Sequence, residues 1–411
     1  MHHEHLLIIR FSAMGDVAMT VPVVWALARQ YPDLRITVLS RPFAHAFFAE
    51  LAPNVNFMAA DLKKEYHGVK GLNALYRRLT AKQFTAIADL HNVLRSDYLR
   101  LRFNLGRYRV EHIDKHRTQR RRLVASEPKK VLAPLPSPFD NYLDVFRRLG
   151  YPITPENLCF RSIFEAPSSS LSSSPSSSPS SSLSCSLSCC PSKAPSSSSS
   201  SSSVDCGSAA VPPAAETKPT GNLNLLPQAI GPKRSWEQWI GLAPFAAHRG
   251  KTYPPELTTR LIELLTARYP QARLFLFGRG PQEDDYFARC TQRWQQCLNV
   301  GQHTENLYQE LILMSHLDVM VSMDSSNMHL ASLTDTPVVS IWGATHPYAG
   351  FLGWHQNPQN ILQADGLGCR PCSIYGQKPC RYGDYRCLTG ITPESIVEKI
   401  TQVLTKNQQA K

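Results

Sequence analysis

Residues 6–17 read LLIIRFSAMGDV, and this stretch decides the fold class of the chain. Its first four residues are an apolar run of the kind found in strands that are buried on both faces of a parallel sheet. Small and polar residues follow as far as Asp16, and apolar residues then recur at helical spacing over 17–28. Strand, loop and helix in this order are the repeating unit of an α/β fold.

The same alternation continues through both halves of the chain. Strands are predicted at residues 35–39, 86–90, 239–245, 273–277, 318–322 and 337–343, and helices at 43–51 and 255–268. This alternation favours a doubly wound parallel sheet in each half. Ligands of such sheets bind at the carboxyl ends of the strands, so polar clusters at those ends are the candidate sites.

A Ser-rich segment separates the two halves. Serine occupies 24 of the 36 positions from 168 to 203, and Pro- and Ala-rich polar sequence continues to about Gly221. Such a composition buries too little apolar surface to offset its ordering entropy, which predicts a disordered linker that acts as a spacer. We therefore expect an N-terminal domain at residues 1–165, a linker at 166–224 and a C-terminal domain at 225–411.

Length, charge and hydropathy limit the classes of function. The 411 residues suffice for two or three domains, and 44 basic against 32 acidic residues give a net charge of +12. That charge favours anionic ligands such as phosphates, sugar acids, nucleic acid or an acidic membrane surface. No stretch has the roughly 18 apolar residues of a membrane-spanning helix, and the first residues lack the pattern of a signal peptide. We expect a cytoplasmic protein.

Most of the positive charge lies in a basic tract, residues 95–130. Twelve basic residues and four acidic ones give this tract a net charge of +8. An anionic glycolipid at a membrane surface and RNA both fit such a surface, and a merely solvated face is a third interpretation.

The loop of residues 12–16, SAMGD, places a carboxylate after a strand and near the start of a helix. Asp16 can act as a general base or as a helix N-cap, and the spacing alone favours the cap. Gly15 permits a close approach of another segment or an unusual φ angle.

Residues 323–329 of the second half, MDSSNMH, follow a strand and open a helix. Backbone N–H groups and the hydroxyls of Ser325 and Ser326 can bind an anion such as a diphosphate there. His329 either reaches a phosphate or satisfies a hydrogen bond in the core, and the sequence alone favours the core position.

Two further strand ends carry polar candidates. Residues 245–254 supply Arg249 and Lys251, as phosphate ligands or as a solvated basic loop. Residues 278–280, GRG, have too few glycines for a dinucleotide fingerprint, which argues against NAD or FAD. Glu283 can accept hydrogen bonds from a ribose or a base, but the sequence alone favours the acidic first turn of a helix, which the helix dipole stabilises.

Four of the 11 cysteines lie close together near the C-terminus, at positions 369, 372, 380 and 387. Cys369, Cys372, Cys380 and Cys387 can hold a tetrahedral zinc ion, but they do not form the usual two close pairs, so reduced thiols in an ordered loop are favoured.

Taken together, these motifs resemble those of glycosyltransferase family 9, the family of the ADP-heptose:lipopolysaccharide heptosyltransferases. The resemblance is carried by residues 10–17 (RFSAMGDV), 251–254 (KTYP), 321–331 (VSMDSSNMHLA) and 337–347 (PVVSIWGATHP). It spans about residues 6–150 and 236–405. Several ordered motifs at family-like separations are far more specific than any one of them.

The resemblance implies a GT-B architecture, in which two Rossmann-like domains face a cleft, the first binding mainly the acceptor and the second the nucleotide sugar. Asp16 is then the base that deprotonates the acceptor hydroxyl, and Lys251 neutralises donor phosphate. The predicted site residues are Asp16 and Lys251 for catalysis; Arg249, Lys251, Glu283, Asp324, Ser325, Ser326, Asn327 and His329 for the donor; and Ser12, Met14 and Gly15 on the acceptor side.

The function that the resemblance implies is an inverting transfer of heptose or a related sugar from a nucleotide-sugar donor, ADP-heptose first, to a lipopolysaccharide core acceptor. It implies no metal or other cofactor, no nucleic-acid partner, and peripheral contact of the basic tract with the inner face of the cytoplasmic membrane.

Two other hypotheses stay open. A nucleotide-sugar epimerase of GT-B fold would convert donor without acceptor, and a non-catalytic binder of anionic glycolipid or nucleic acid would show salt-dependent binding without affinity for nucleotide sugars.

Overall fold

A computed structural model describes residues 4–165 and 218–409 of the chain. Eleven strands form two sheets in the described part, and every pairing is parallel. The strands are β1 His5–Ile9, β2 Arg35–Ser40, β3 Val55–Ala59, β4 Ala86–Asp89, β5 Arg109–His112, β6 Trp239–Ala243, β7 Arg273–Leu276, β8 Cys297–Asn299, β9 Val319–Met323, β10 Val338–Trp342 and β11 Ile361–Gln363.

The first sheet has the strand order β3-β2-β1-β4-β5, and the second has the order β11-β10-β9-β6-β7-β8. The central strands β1, β6, β9 and β10 are buried along their whole length, as expected for strands covered on both faces. The chain order reverses between β1 and β4 in the first sheet and between β6 and β9 in the second. These are the switch points at which doubly wound sheets open a crevice for ligands.

The helices that cover the sheets are α1 Met14–Ala18, α2 Val21–Gln30, α3 His45–Phe48, α4 Gly68–Thr80, α5 Leu94–Leu105, α6 Arg117–Leu123, α7 Pro138–Arg148, α8 Pro255–Arg268, α9 Pro281–Arg293, α10 Val300–His303, α11 Leu307–Ser315, α12 Ser326–Ser332, α13 Arg386–Thr389 and α14 Pro393–Gln409. The fold class predicted from the sequence is therefore confirmed. No helix among them is long and apolar enough to cross a membrane.

Two predicted helices are interrupted in the structure. The helix expected over 17–28 is divided into α1 and α2, with Pro22 in the first turn of α2, where the missing N–H of a proline removes no hydrogen bond. The helix expected over 43–51 is a 3₁₀ turn at Pro42–Ala44 followed by the short helix α3. The predicted helix over 255–268 is confirmed residue for residue by α8.

The predicted domain boundaries at residues 165 and 225 stay a prediction, since both sheets lie within one compact unit. Most of the predicted linker, residues 166–217, lies outside the described residues. Its last residues are described: the Gly221 amide donates to Ser315 Oγ over 3.0 Å, and the Gly221 carbonyl oxygen lies 2.7 Å from His316 Nε2. These contacts attach residues 218–224 to the end of α11.

Contacts between the two sheets hold the switch points opposite each other. Helix α1, which follows β1, packs against α12, which follows β9. The Trp354 indole donates a hydrogen bond of 2.9 Å to the Phe160 carbonyl, and the Leu135 amide donates one of 2.9 Å to the Tyr348 carbonyl. The loops after β1 and β9 therefore lie next to each other.

Candidate active site

A cavity of about 940 Å³, called the main cavity below, lies between the two switch points. The loops after β1, β6 and β9 all contribute to its walls. Of the residues predicted from the sequence, it is lined by Met14, Gly15, Asp16, Lys251, Glu283, Asp324, Ser325, Ser326, Asn327 and His329. The fold thus brings together candidates that lie more than 300 residues apart in the sequence.

Asp16 forms an ion pair on the wall of the first sheet. Its Oδ2 atom lies 2.8 Å from Arg10 Nη2 and accepts a hydrogen bond of 3.2 Å from the Ala13 amide. Burial by itself would raise the pKa of Asp16, but the Arg10 guanidinium, the Ala13 N–H and nearby His329 together bring it below its usual value. The carboxylate is therefore ionised at neutral pH and is held in one orientation.

The interpretation of Asp16 as the N-cap of α1 is wrong, because the N-cap is Ala13. Asp16 is the third residue of α1, and its carboxylate accepts a hydrogen bond from the Ala13 N–H, so it stabilises the start of the helix from within. Its side chain nevertheless retains 29% exposure, whereas that of Arg10 is 7% exposed. The carboxylate is thus anchored by Arg10 and by the Ala13 N–H, and it still faces the cavity.

Lys251 and Asp324 form a second pair on the wall of the second sheet. Lys251 Nζ lies 3.3 Å from Asp324 Oδ2, and here the lysine is the more exposed partner, at 15% against 5%. Lys251 is the last residue of the 3₁₀ turn Arg249–Lys251, which follows β6. Its aliphatic chain packs closely on Gly376, because a Cβ added at Gly376 would lie 2.4 Å from Lys251 Cγ.

His329 lies between the two pairs, in the first turns of α12. Burial lowers its pKa to about 4, although Asp324 and Asp16 act in the opposite direction, so the ring is neutral at neutral pH. Its Nδ1 atom is buried and has no hydrogen-bond partner among the described residues. A buried polar atom of this kind indicates a ligand or water that completes the site.

Position 15 requires a glycine because α12 approaches it closely, and not because of its φ angle. A Cβ at this position would lie 2.7 Å from His329 Cδ2 and 3.3 Å from the Ser326 Cα. Any larger residue would therefore separate α1 from α12 at the point where Asp16, His329 and the start of α12 meet.

The far wall of the main cavity contains a pair that the sequence analysis did not select. Arg279 Nη2 lies 2.7 Å from Glu310 Oε1, and the same nitrogen donates to the Thr304 carbonyl over 2.9 Å. Glu283 lies beside this pair, and burial raises the pKa of its carboxyl. The residue type and loop position of Arg279 were visible in the sequence, but its pairing with Glu310 on α11 required the fold.

One residue predicted for the donor site, Arg249, lies outside the main cavity. Arg249 does not line the main cavity, because its guanidinium lies over the ring of Tyr385, 5.4 Å from the ring centroid. Met14 and Gly15, predicted on the acceptor side, line the same cavity as Lys251.

Ser12 instead lines a smaller side cavity of about 240 Å³, which adjoins the main cavity at Asp16. The Ser12 hydroxyl lies 3.4 Å from His91 Nε2, after the end of β4. Burial and the charges of Arg10 and Lys115 lower the pKa of His91 to about 3. The side cavity is lined by Arg10, Ser12, Ala13, Asp16, His91, Val93, Ile113, Lys115, Arg120, Pro138, Asn141, Tyr142, Phe351 and Tyr375.

The cysteine loop, residues 369–387, reaches the site through Ile374 and Tyr375, which line the main cavity. Arg370 anchors this loop, because its guanidinium donates to the Gly343, Trp342, Thr345 and Ala364 carbonyls over 2.7 to 3.1 Å. The cysteines at 369, 372, 380 and 387 are free thiols. Within residues 4–165 and 218–409, no three His, Cys, Asp or Glu side chains are grouped so that they can hold a metal ion.

The fold and the paired switch-point loops define the chain as a GT-B protein. The model of glycosyltransferase family 9 (heptosyltransferase) matches residues 213–383, which contain the second sheet's part of the site. Lipooligosaccharide heptosyltransferase 2 of Campylobacter jejuni is 23% identical over 138 residues, which are 32% of this chain and 41% of that protein. The chain thus spans about two fifths of the length of this curated relative.

Solved structures extend the similarity to the first sheet. A family 9 glycosyl transferase from Veillonella parvula superposes with a TM-score of 0.62 at 14% identity, covering 99% of this chain and 98% of that one. E. coli heptosyltransferase WaaC, solved with ADP, superposes with a TM-score of 0.58 at 15% identity, covering 97% and 99%. The resemblance to glycosyltransferase family 9 predicted from the sequence is confirmed.

Proposed function

We propose that this protein is a glycosyltransferase that moves heptose or a related sugar from a nucleotide-sugar donor, ADP-heptose first, to a lipopolysaccharide core acceptor, with inversion of the anomeric centre. One observation carries the proposal. Asp16, an anchored and ionised carboxylate, lines the same cavity as Lys251, His329 and the start of α12.

In this mechanism Asp16 is the proton acceptor. The acceptor hydroxyl attacks the anomeric carbon of the donor, a new C–O bond forms, and the bond from that carbon to the diphosphate oxygen breaks. The hydroxyl proton goes to Asp16, and the electron pair of the broken bond leaves with the diphosphate. Arg10 holds the carboxylate in position through the 2.8 Å ion pair.

On the opposite wall the developing charge of the diphosphate needs stabilisation. Lys251 is the more exposed member of its pair there, and Asp324, 3.3 Å away, fixes its amino group. Residues 325–327 at the start of α12 add backbone N–H groups and hydroxyls, which suit phosphate oxygens. Neutral His329 supplies an unpartnered ring nitrogen beside them.

The choice of ADP as the first nucleotide to test rests on similarity. E. coli heptosyltransferase WaaC was solved with ADP, and the present chain superposes on it over 97% of its length. The heptose and the lipopolysaccharide acceptor rest on the similarity to heptosyltransferases such as lipooligosaccharide heptosyltransferase 2 of C. jejuni.

The basic tract supports a further part of the proposal, peripheral contact with an anionic membrane face. Leu94, Leu101 and Leu105 on α5 are exposed by 86%, 56% and 73%, next to the arginines of the tract. Exposed leucines beside basic residues are typical of surfaces that adsorb to anionic lipid.

Calorimetry with ADP, UDP, GDP and CDP tests the donor site. We expect wild-type protein to prefer ADP, and Lys251→Ala to weaken ADP binding by at least about tenfold, since a charge-assisted contact contributes roughly 1.5–3 kcal/mol. Lys129→Ala, an exposed lysine of the basic tract outside the cavity, is the matched control and should bind as wild type does. Folded protein that binds none of the four nucleotides would contradict the proposal.

A further inference from the structure

The part of the main cavity that lies beside α9 and α11 is acidic. Glu283 belongs to α9, Glu310 belongs to α11, and Glu305 comes two residues before α11. Arg279, in the loop after β7, sets one cation against these three carboxylates. Such an excess of negative charge repels a diphosphate, which therefore favours the wall formed by Lys251 and the start of α12.

The order of the parts in a nucleoside diphosphate decides what the acidic part of the cavity receives. The ribose lies between the diphosphate and the base. Glu283 lies directly beside Arg279, because its carboxylate accepts a hydrogen bond from the Arg279 amide, and a Cβ added at Gly278 would clash with Glu283 Oε2. With the diphosphate at Lys251 and the ribose hydroxyls at the Glu283 carboxyl, the base comes to lie beside Arg279.

The guanidinium of Arg279 is held by its edge. Its Nε atom donates to Glu310 Oε1 over 3.0 Å, and its Nη1 atom donates to the Gly301 carbonyl over 3.1 Å. Its Nη2 atom donates to the Thr304 carbonyl over 2.9 Å and to Glu310 Oε1 over 2.7 Å. The side chain nevertheless remains 50% exposed. Since protein acceptors occupy the edge of the planar group, a ligand meets its flat face.

Apolar side chains lie near this flat cation. Phe245 lines the main cavity and packs edge-on against Tyr286 and Phe287 of α9, with ring centroids 5.5 and 5.6 Å away. Leu307, the first residue of α11, lines the cavity as well. Apolar walls with few polar groups suit a flat heterocycle better than a charged group. A guanidinium face stacks favourably on such a ring.

We propose that Arg279 is a specificity-determining residue of the donor site, which stacks the flat face of its guanidinium on the base and thereby selects a purine nucleotide sugar. The inference rests on the proposed function, because it needs a nucleotide donor in the main cavity. The two fused rings of a purine cover more of the guanidinium than the single ring of a pyrimidine does. Stacking of this kind depends on ring area and not on the groups at the ring edge.

Three probes separate the contribution of the base from that of the diphosphate. ADP, UDP and pyrophosphate are titrated calorimetrically into wild type and Arg279→Lys, which keeps the positive charge and removes the flat face. We expect ADP to bind at least about tenfold more weakly to the variant, and UDP less than about threefold more weakly. Pyrophosphate should bind to both proteins equally.

Two control variants distinguish stacking from a structural role of Arg279. Arg289→Lys alters an exposed arginine of α9 that lies outside the main cavity, so it should bind all three probes as wild type does. Glu310→Gln keeps an oxygen that accepts from Arg279, so the ratio of ADP to UDP affinity should stay that of wild type. A displaced loop in Arg279→Lys would instead weaken ADP and UDP by the same factor.

An unchanged ratio of ADP to UDP affinity in Arg279→Lys would overturn the inference, as would wild-type protein that binds UDP as tightly as ADP. Either result leaves a nucleotide site in place and thus removes only the role of Arg279. Folded protein that binds pyrophosphate but gains nothing from the nucleoside would also remove only this inference. Folded protein that binds none of the three probes would contradict the proposed function itself, and the inference with it.

Discussion

Each sheet carries a cation–carboxylate pair beside the main cavity, and the two pairs have opposite polarity. In the first pair the Arg10 side chain is 7% exposed and Asp16 is 29% exposed. In the second pair Lys251 is 15% exposed and Asp324 is 5% exposed. The first wall therefore offers an anion to the ligand and the second offers a cation, although both pairs follow a central parallel strand.

This difference explains how one architecture used twice can supply two chemical roles. The buried member of each pair orients and neutralises the other, and the exposed member meets the substrates. A proton acceptor on one wall and a ligand for phosphate on the other are what the transfer of a sugar from a diphosphate requires. The comparison also indicates which substitutions on each wall should change stability or activity.

The largest expected effect concerns the second pair. Lys251→Met leaves the carboxylate of Asp324 buried without its cation, which should lower the free energy of unfolding by about 3–5 kcal/mol. Adding Asp324→Asn removes that charge, so the double variant should recover most of the loss. Urea denaturation of the two single variants and the double variant measures the coupling. Strictly additive effects would show that the two side chains act independently.

A smaller effect is expected where the two walls touch. Gly15→Ala places a Cβ 2.7 Å from His329 Cδ2 and 3.3 Å from the Ser326 backbone, so α1 and α12 must shift. Overpacking of this kind should destabilise the protein by about 1–3 kcal/mol and weaken nucleotide binding. Gly368→Ala is the matched control, because nothing lies within 4 Å of a Cβ there. If both variants melt at the wild-type temperature, the close approach is not required.

The last of these predictions concerns the change in the free energy of unfolding with pH. Burial lowers the pKa of His329 to about 4, below the value of about 6.5 in an unfolded chain. Between these values the unfolded state binds a proton that the folded state does not, so stability falls as the pH falls from about 6.5 to 4. His329 should contribute up to about 1.4 kcal/mol per pH unit over this range.

Urea denaturation of wild type and His329→Asn across this pH range checks the contribution. The variant should lose stability less steeply than wild type on acidification. Identical slopes would mean that His329 takes up its proton in the folded state as readily as in the unfolded one.

The sequence was sufficient for the sheet and for the residues that follow its central strands. The buried runs at 6–9 and 239–243 needed only their apolar pattern, and Asp16, Lys251 and Asp324 could be chosen because they lie in the loops that follow buried strands. The helix over 17–28 was wrong in detail, since a new helix begins at Val21, with Pro22 in its first turn.

Contacts between distant segments were beyond the reach of pattern and spacing. Arg10 stood in the quoted motif without a role, because only the fold shows that its guanidinium lies 2.8 Å from Asp16. Arg249 and Lys251 are two residues apart and chemically alike, yet one lies over Tyr385 and the other faces the main cavity. Lys115 looks like any other cation of the basic tract in the sequence, and only the fold shows that it is half-buried in the wall of the side cavity.

The opposite polarity of the two pairs is tested most directly by turnover of ADP-heptose with a lipopolysaccharide core acceptor, in wild type and in Asp16→Asn. The variant keeps the volume of the side chain and removes the proton acceptor. We predict that transfer falls by about 10²–10⁴-fold while calorimetry shows unchanged ADP binding, because Lys251 and Asp324 are untouched. Transfer at the wild-type rate by Asp16→Asn would contradict the assignment of the exposed carboxylate as the base.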